Sequence, residues 1–311
     1  MAKIQGYQQT DAHIVNYEMY RLPGVLSGHF RGPPLLGTQY VACVGAAQTF
    51  GRFVRKPFPH LLSATLGLEA LNLGRGGAGP TYHGSEPVLM QYINQARVVI
   101  VQVLSGRSQS NSVFHTSHHG MAGTHLPTGS NMDADEFYTW LLQQEPAFAR
   151  RIVAETREQY VSDMTALLAA IRPPKVLLWF STRTPEYDER WELPAWRLMG
   201  AFPQMVNRTM IEQLRDHADA YVECVSARGS PQPIVDLHGN PSSFRVQKAG
   251  KTEVVIKTHN SYYPSPEMHE DAATLLAPVC RALLEGNGAD VRPDGDQDPP
   301  LRSSRSASRN T

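Results

Sequence analysis

Gly45-Ala46-Ala47-Gln48-Thr49-Phe50-Gly51 follows the apolar run Tyr40-Val41-Ala42-Cys43-Val44, the pattern of a strand that turns sharply into a helix. Such a turn exposes one side chain at a strand end, where a hydrolase carries a hydroxyl or thiol nucleophile. Here that residue is Ala47, which has neither. Asn72-Leu73-Gly74-Arg75-Gly76-Gly77 is a glycine-rich loop after a second apolar run, and it lets backbone approach a ligand closely. Leu104-Ser105-Gly106-Arg107-Ser108 ends a third run, and Asn260-Ser261-Tyr262-Tyr263-Pro264-Ser265-Pro266-Glu267-Met268-His269 opens the last helical pattern.

Gly45 and Gly74 can present N–H groups at strand ends, and Arg52, Arg55, Lys56, Arg75 and Arg107 fall in or near these loops. That combination suits a carboxylate, phosphate or sulfate. Arg75 and Arg107 are favoured, because each directly follows a pocket glycine; the competing reading is solvation or pairing with nearby acids. His115, His118, His119 and His125 form an imidazole-rich segment of the kind that holds Zn²⁺. Without a cysteine or acid at a known spacing, a surface loop that covers the pocket is preferred, and no metal or cofactor is expected. His269 with Ser105, Ser108 or Thr49 offers a relocated hydroxyl and base, against the alternative that His269 packs at its helix start. Asp236-Leu237-His238 pairs an acid with a base but precedes a hairpin pattern. There is no GxxxxGK[ST], so phosphate-loop nucleotide chemistry has no support.

These loops need a scaffold, and the chain alternates strands and helices. Strand patterns at 40–44, 68–73, 98–103, 175–181 and 220–225 are separated by helical patterns at 58–66, 87–94, 148–171 and 203–216. Gly67 sits at a left-handed C-cap position, and Asp133 with Glu136 forms a capping box for a helix after a long polar stretch. A hairpin with its turn at Ala249-Gly250 precedes a final helix that buries Met268, Ala272, Leu275, Leu276, Val279 and Leu283. The expectation is an α/β fold: a doubly wound, mainly parallel five-stranded sheet with a polar insert at about 109–150 and a C-terminal hairpin. Residues 1–37 form an N-terminal extension, 38–285 the domain, and the Asp-, Pro-, Ser- and Arg-rich 286–311 a disordered tail.

The ordered motifs resemble the SGNH (GDSL-type) hydrolases. Their Gly-Asp-Ser-x-Thr-x-Gly block corresponds to 45–51, their Asn-x-Gly-x-x-Gly to 72–77, their Gly-x-Asn-Asp to Gly106-Arg107-Ser108-Gln109, and their Asp-x-x-His-Pro-Ser to 260–265. The resemblance implies an SGNH, flavodoxin-like sheet, with Gly74 as an oxyanion-hole glycine. It also implies that Ala47, Tyr263 and Asn260 stand at the nucleophile, base and acid positions. Alanine has no nucleophile, a neutral phenol does not serve as an imidazole's substitute near pH 7, and asparagine carries no charge. The whole chain also resembles a bacterial protein family sharing the Gly-Ala-Ala-Gln-Thr-Phe-Gly-Arg-Phe and Tyr-Pro-Ser-Pro-Glu-Met-His phrases, which supplies no activity.

Composition narrows the rest. The 311 residues carry 29 Lys+Arg and 29 Asp+Glu, a balance that argues against a dedicated nucleic-acid binder. No apolar run approaches a membrane span, the N-terminus lacks a secretory apolar core, and Cys43, Cys224 and Cys280 are widely spaced. The expectation is a soluble cytoplasmic protein that binds a small anionic, acyl or carbohydrate-like ligand without hydrolysing it, through Gly45, Ala47, Gln48, Gly74, Arg75, Gly106, Arg107 and Asn260. No nucleic-acid partner is expected, and no protein partner is assigned. The alternative is a transferase or esterase acting on acylated or glycosidic material with Tyr263, His269, Ser105 and Thr49 as candidate groups.

Overall fold

The computed structural model describes residues 7–26, 28–116, 122–247 and 254–286. Five strands, β1 (Tyr40–Gly45), β2 (Glu69–Gly74), β3 (Val98–Gln102), β7 (Lys175–Ser181) and β8 (Ala220–Val225), pair in parallel in the order β2-β1-β3-β7-β8. Alternation along β1 divides the interior. Tyr40, Ala42 and Val44 face one core while Val41 and Cys43 face the other, as the two-residue period of a strand requires. The first core is closed by α5 (Pro87–Gln95), the 25-residue α7 (Pro146–Ala170) and α9 (Arg208–Arg215), and the second by α3 (Phe58–Leu66) and α10 (Pro266–Leu284). This is the doubly wound sheet expected from the sequence, and its strand order reverses direction between β1 and β3, where such sheets open a crevice.

Several expectations are corrected. The polar stretch after residue 109 is not an open loop: β4 (Phe114–Thr116), β5 (Ala122–His125) and β6 (Ser130–Asp133) form an antiparallel sheet, followed by the capping-box helix α6 (Ala134–Leu141). Phe114 and Phe137 stack with ring centres 4.4 Å apart, so this insert has its own apolar core. The helix read at 203–216 begins only at Arg208, capped by Asn207, whose side chain accepts from the Met210 N–H. The segment before it coils through the short α8 (Trp196–Met199), and α4 (Pro80–Gly84) is a further turn that the sequence did not suggest. Leu275 is 45% exposed and contributes nothing to the core. The hairpin strands β10 (Phe244–Gln247) and β11 (Val254–Lys257) are present and its turn lies outside the described residues, as does the tail from 287. A shorter antiparallel pair joins β9 (Gln232–Pro233) to β12 (His259–Asn260). All three cysteines are buried thiols.

The N-terminal segment, which begins with α1 (Tyr7–Thr10), is built into the domain. Behind β1, α2 (Ala47–Phe50) ends at left-handed Gly51 (φ +76°), and Phe53 also takes a positive φ of +68°. That conformation costs a non-glycine residue of order 1 kcal/mol, so neighbouring contacts must hold it. Arg31 does so from the segment, donating to the carbonyls of Phe50, Gly51, Val54 and Arg55 at 2.6–3.0 Å. The Tyr17 hydroxyl accepts from the Phe53 N–H at 3.1 Å. Buried Asp11 takes a two-pronged bond from Arg52, Nε to Oδ2 at 2.7 Å and Nη2 to Oδ1 at 3.2 Å. The loop after the first strand is therefore shaped by residues outside the resemblance to hydrolases.

Two predictions follow from burial. Removing the carboxylate with Asp11→Ala leaves the Arg52 cation in a largely buried place, and should cost about 3–5 kcal/mol in urea unfolding; a loss below about 1 kcal/mol would show that the pair carries no such constraint. Burial also holds His83 down to about 4 and His269 to about 3. Both folded values lie below the ordinary histidine value, so the unfolded chain binds more protons, and their stabilisation, complete above about pH 6.5, is lost as pH falls through about 6.5 toward 3–4. The slope is about 1.4 kcal/mol per pH unit per histidine within its window. The double variant His83→Gln, His269→Asn should flatten the stability–pH curve between pH 6.5 and 4; an unchanged slope would contradict this.

Candidate functional site

The C-terminal ends of β1, β2 and β3 open into a cavity of about 580 Å³. Ala47 and Gln48 line it from the start of α2, Gly76 and Gly77 from the glycine loop, Ser105 and Arg107 from the end of the third strand, and Tyr263 from the turn before α10. Four motifs far apart in sequence thus converge on one space. Glutamine and hydroxyl side chains complete much of the wall, with Gln109 and Gln159 both donating to Asp163, at 2.7 and 2.8 Å.

Tyr263 is held from two sides. Asn260 accepts from the N–H groups of Tyr262 and Tyr263 at 3.1 and 2.9 Å, and its Nδ2 donates to the Tyr263 carbonyl and to Gln232. It is buried and shapes the turn; it does not line the cavity. At the other end, Arg52 Nη1 donates to the Tyr263 hydroxyl oxygen at 3.2 Å, and the guanidinium lies 5.2 Å from the ring centre. Burial raises the Tyr263 pKa despite Arg52, which acts in the opposite direction. The phenol is therefore neutral at physiological pH. Since its oxygen accepts from Arg52, its own hydrogen is directed to another acceptor.

The structure withholds several residues from the cavity. Thr49 is buried, its hydroxyl donating to Gln102 Oε1 at 2.6 Å. Gly45 and Gly74 serve close packing: a Cβ at Gly45 would lie 2.0 Å from Thr49 Oγ1, one at Gly74 2.1 Å from the Phe50 nitrogen. The Gly74 N–H is spent on Asn72 Oδ1 at 2.9 Å, so it does not point an oxyanion-hole donor outward. Arg75 turns toward the Tyr82 ring, 5.8 Å from its centre, and Gly106 is fixed by donating to the Gln204 carbonyl. His269 is the clearest correction. It is fully buried between Phe58 and Phe180, and its Nδ1 accepts from the Phe58 N–H at 3.1 Å, which requires the neutral ring with hydrogen on Nε2. That geometry removes it as a base for Ser105, Ser108 or Thr49.

The histidine segment divides. His115 lines the cavity, whereas buried His125 bonds to Thr128 and packs on Trp140. His118 and His119 lie outside the described residues. Among the described residues no cluster of potential metal ligands occurs. Asp236 closes a local turn by accepting from the His238 and Asn240 N–H groups, so it does not pair with the His238 ring. Arg107 lines the cavity and bonds to the exposed Asp135 at 3.3 Å, a contact of the weak, solvent-screened kind. Asp11, Gln204 and Tyr262 belong to the site and its support without any sequence signal. Asp11 reaches Arg52 across 41 residues, and Gln204 donates to the Tyr262 hydroxyl across 58, and no local periodicity reports such pairings.

Among the described residues, neither Ser105 nor Ser108 is hydrogen-bonded to a histidine. The arrangement supplies hydrogen-bond donors, acceptors and the guanidiniums of Arg52 and Arg107.

No helix among the described residues is long and apolar enough to cross a membrane. No curated protein sequence matches the chain. Similar solved structures include an acetyl xylan esterase (Est2A) from Butyrivibrio proteoclasticus, 10% identical, covering 83% of this chain and 68% of that one with a TM-score of 0.40. A carbohydrate esterase family 2 enzyme from Corynascus thermopiles (Myceliophthora fergusii) is 13% identical over 83% of this chain and 70% of its own, with a TM-score of 0.35. A candidate SGNH hydrolase from Slackia heliotrinireducens is 13% identical over 77% and 97%, with a TM-score of 0.32. These likenesses are too distant to carry chemistry across. The sequence pattern described as "Domain of unknown function (DUF6473)" matches residues 5–119 and 137–284, most of the chain, and the protein belongs to that family.

Proposed function

We propose that the protein binds a small hydroxylated or acidic ligand of the acyl or glycosyl class, without hydrolysing it, in the cavity at the ends of β1, β2 and β3. The observation that carries this reading is the shared lining of Ala47 and Tyr263 with Arg52 and Arg107. The nucleophile position is a methyl group, and the base position is a neutral phenol whose oxygen is engaged by a buried cation. Tyr263 donates to a ligand oxygen, and Arg107 exchanges its bond to Asp135 for a ligand carboxylate. Asn260 holds Tyr263 in register, and Gly76 and Gly77 let the ligand lie against backbone. A relocated hydrolase or transferase centre gains no corresponding observation, because Thr49 and His269 are withdrawn into the core.

Thermal shift followed by calorimetry with glucuronate, N-acetylglucosamine and acetylated xylose tests the reading. At least one should bind with a Kd in the micromolar to millimolar range, and Arg107→Ala should weaken glucuronate about tenfold or more, equivalent to about 1.4 kcal/mol. No binding across the set would contradict the proposal. Hydrolysis of p-nitrophenyl acetate should not exceed the buffer rate, since loss of a serine nucleophile alone costs on the order of a millionfold. A saturable rate abolished by Ser105→Ala would establish a relocated enzyme instead.

A further inference from the structure

A second cavity of about 700 Å³ adjoins the first, and Gln48, Arg107, Phe202, Gln204 and Tyr262 line both. The two are therefore the two sides of one thin wall, made chiefly by the hydrogen bond from Gln204 Nε2 to the Tyr262 hydroxyl at 3.1 Å. Gln204 is carried on a constrained turn: its carbonyl accepts from the Gly106 N–H at 2.9 Å, and Met205 beside it has a φ of +70° and gives its carbonyl to Arg157 Nε.

The lobes differ in the particular side chains that line them. The inner one presents Ser105, Ser108, Gln109, Thr116, Gln159 and Asp163, hydroxyls, amides and a carboxylate that suit a polyol. The outer one presents Phe180, Trp196, Met199, Phe202, Pro264 and Met268. Its arginines already have protein partners: Arg183 donates to the carbonyls of Ala201, Pro203 and Val206, Arg190 to Asp188, and Arg197 to Glu192. The surface left for a ligand is mostly apolar, as it is in the inner lobe, with Asp135, Ser181, Thr182 and Ser261 among its polar groups and Trp196 63% exposed. At the dividing wall, the buried Oε1 atoms of Gln48 and Gln204 have no hydrogen-bond partner among the described residues. Both are acceptors in a place where an unmet acceptor is disfavoured, and ligand hydroxyls passing between the lobes would supply the missing donors.

We infer that the two cavities are one bipartite site for an amphipathic ligand, a hydroxylated head in the inner lobe joined to an alkyl or acyl tail in the outer lobe, crossing at Gln48, Gln204 and Tyr262. This rests on the inner cavity being a ligand site. Methyl, butyl and octyl β-D-glucoside, the last below its micellar concentration, measure the tail's contribution by calorimetry on the full chain. Affinity should rise along the series, with the octyl form binding at least about tenfold tighter than the methyl form. Trp196→Ala, which truncates an exposed side chain and spares the core, should remove most of that gain. Equal affinities along the series, an octyl advantage indifferent to Trp196→Ala, or no binding by any of the three would overturn the inference. Glucuronate binding with a flat alkyl series would reject the outer lobe alone, whereas failure of glucuronate, the other sugars and the glucosides together would reject the inner site as well.

Discussion

The buried pair of Asp11 and Arg52 is the constraint on which the site depends. Arg52 sits just beyond the helix that follows the first strand, between two departures into left-handed backbone at Gly51 and Phe53. An isolated guanidinium in that place would be strongly penalised, and a bidentate carboxylate compensates it. The carboxylate comes from the N-terminal segment, which also delivers Arg31 to four carbonyls of the same turn and Tyr17 to the Phe53 N–H. The segment therefore acts as an internal brace for the mouth of the sheet, and burying it is the condition for Arg52 to reach Tyr263.

From that contact the chemical character of the pocket follows. Ala47 and Tyr263 line the cavity, and Asn260 shapes the turn that carries Tyr263. Asn260 satisfies three hydrogen-bonding groups of its turn and the Gln232 side chain without adding charge, and Tyr263 stays neutral through burial. Arg52 occupies the phenol oxygen from behind, so the group at the base position gives a hydrogen bond.

Much of this was legible in the sequence, for identifiable reasons. The five strands announced themselves as apolar runs ended by Gly45, Gly74 or Ser105, and parallel strands buried on both faces produce such runs. Motif spacing pointed to Ala47, Gln48, Arg107 and Tyr263, which line one cavity. Thr49 and His269 misled because residue type reports chemical capacity and says nothing of direction. Thr49 points along the helix into Gln102, and His269 lies on the face of α10 turned to Phe58 and Phe180. The small sheet of the insert was hidden by its polar composition, since Ser130, Asn131 and Asp133 pair through backbone alone. Asp11 was hidden because its partner is distant in sequence.

The central claim is that the residue at the base position is a neutral donor held by a buried cation. It is tested most directly by titrating Tyr263 in protein labelled with ¹³Cζ-tyrosine, with Tyr263→Phe to assign the resonance. The account predicts that the Tyr263 signal remains that of the protonated phenol beyond pH 10, the ordinary tyrosine value. Ionisation of Tyr263 near neutral pH would contradict it, since a phenolate beside Arg52 would be a base poised for catalysis.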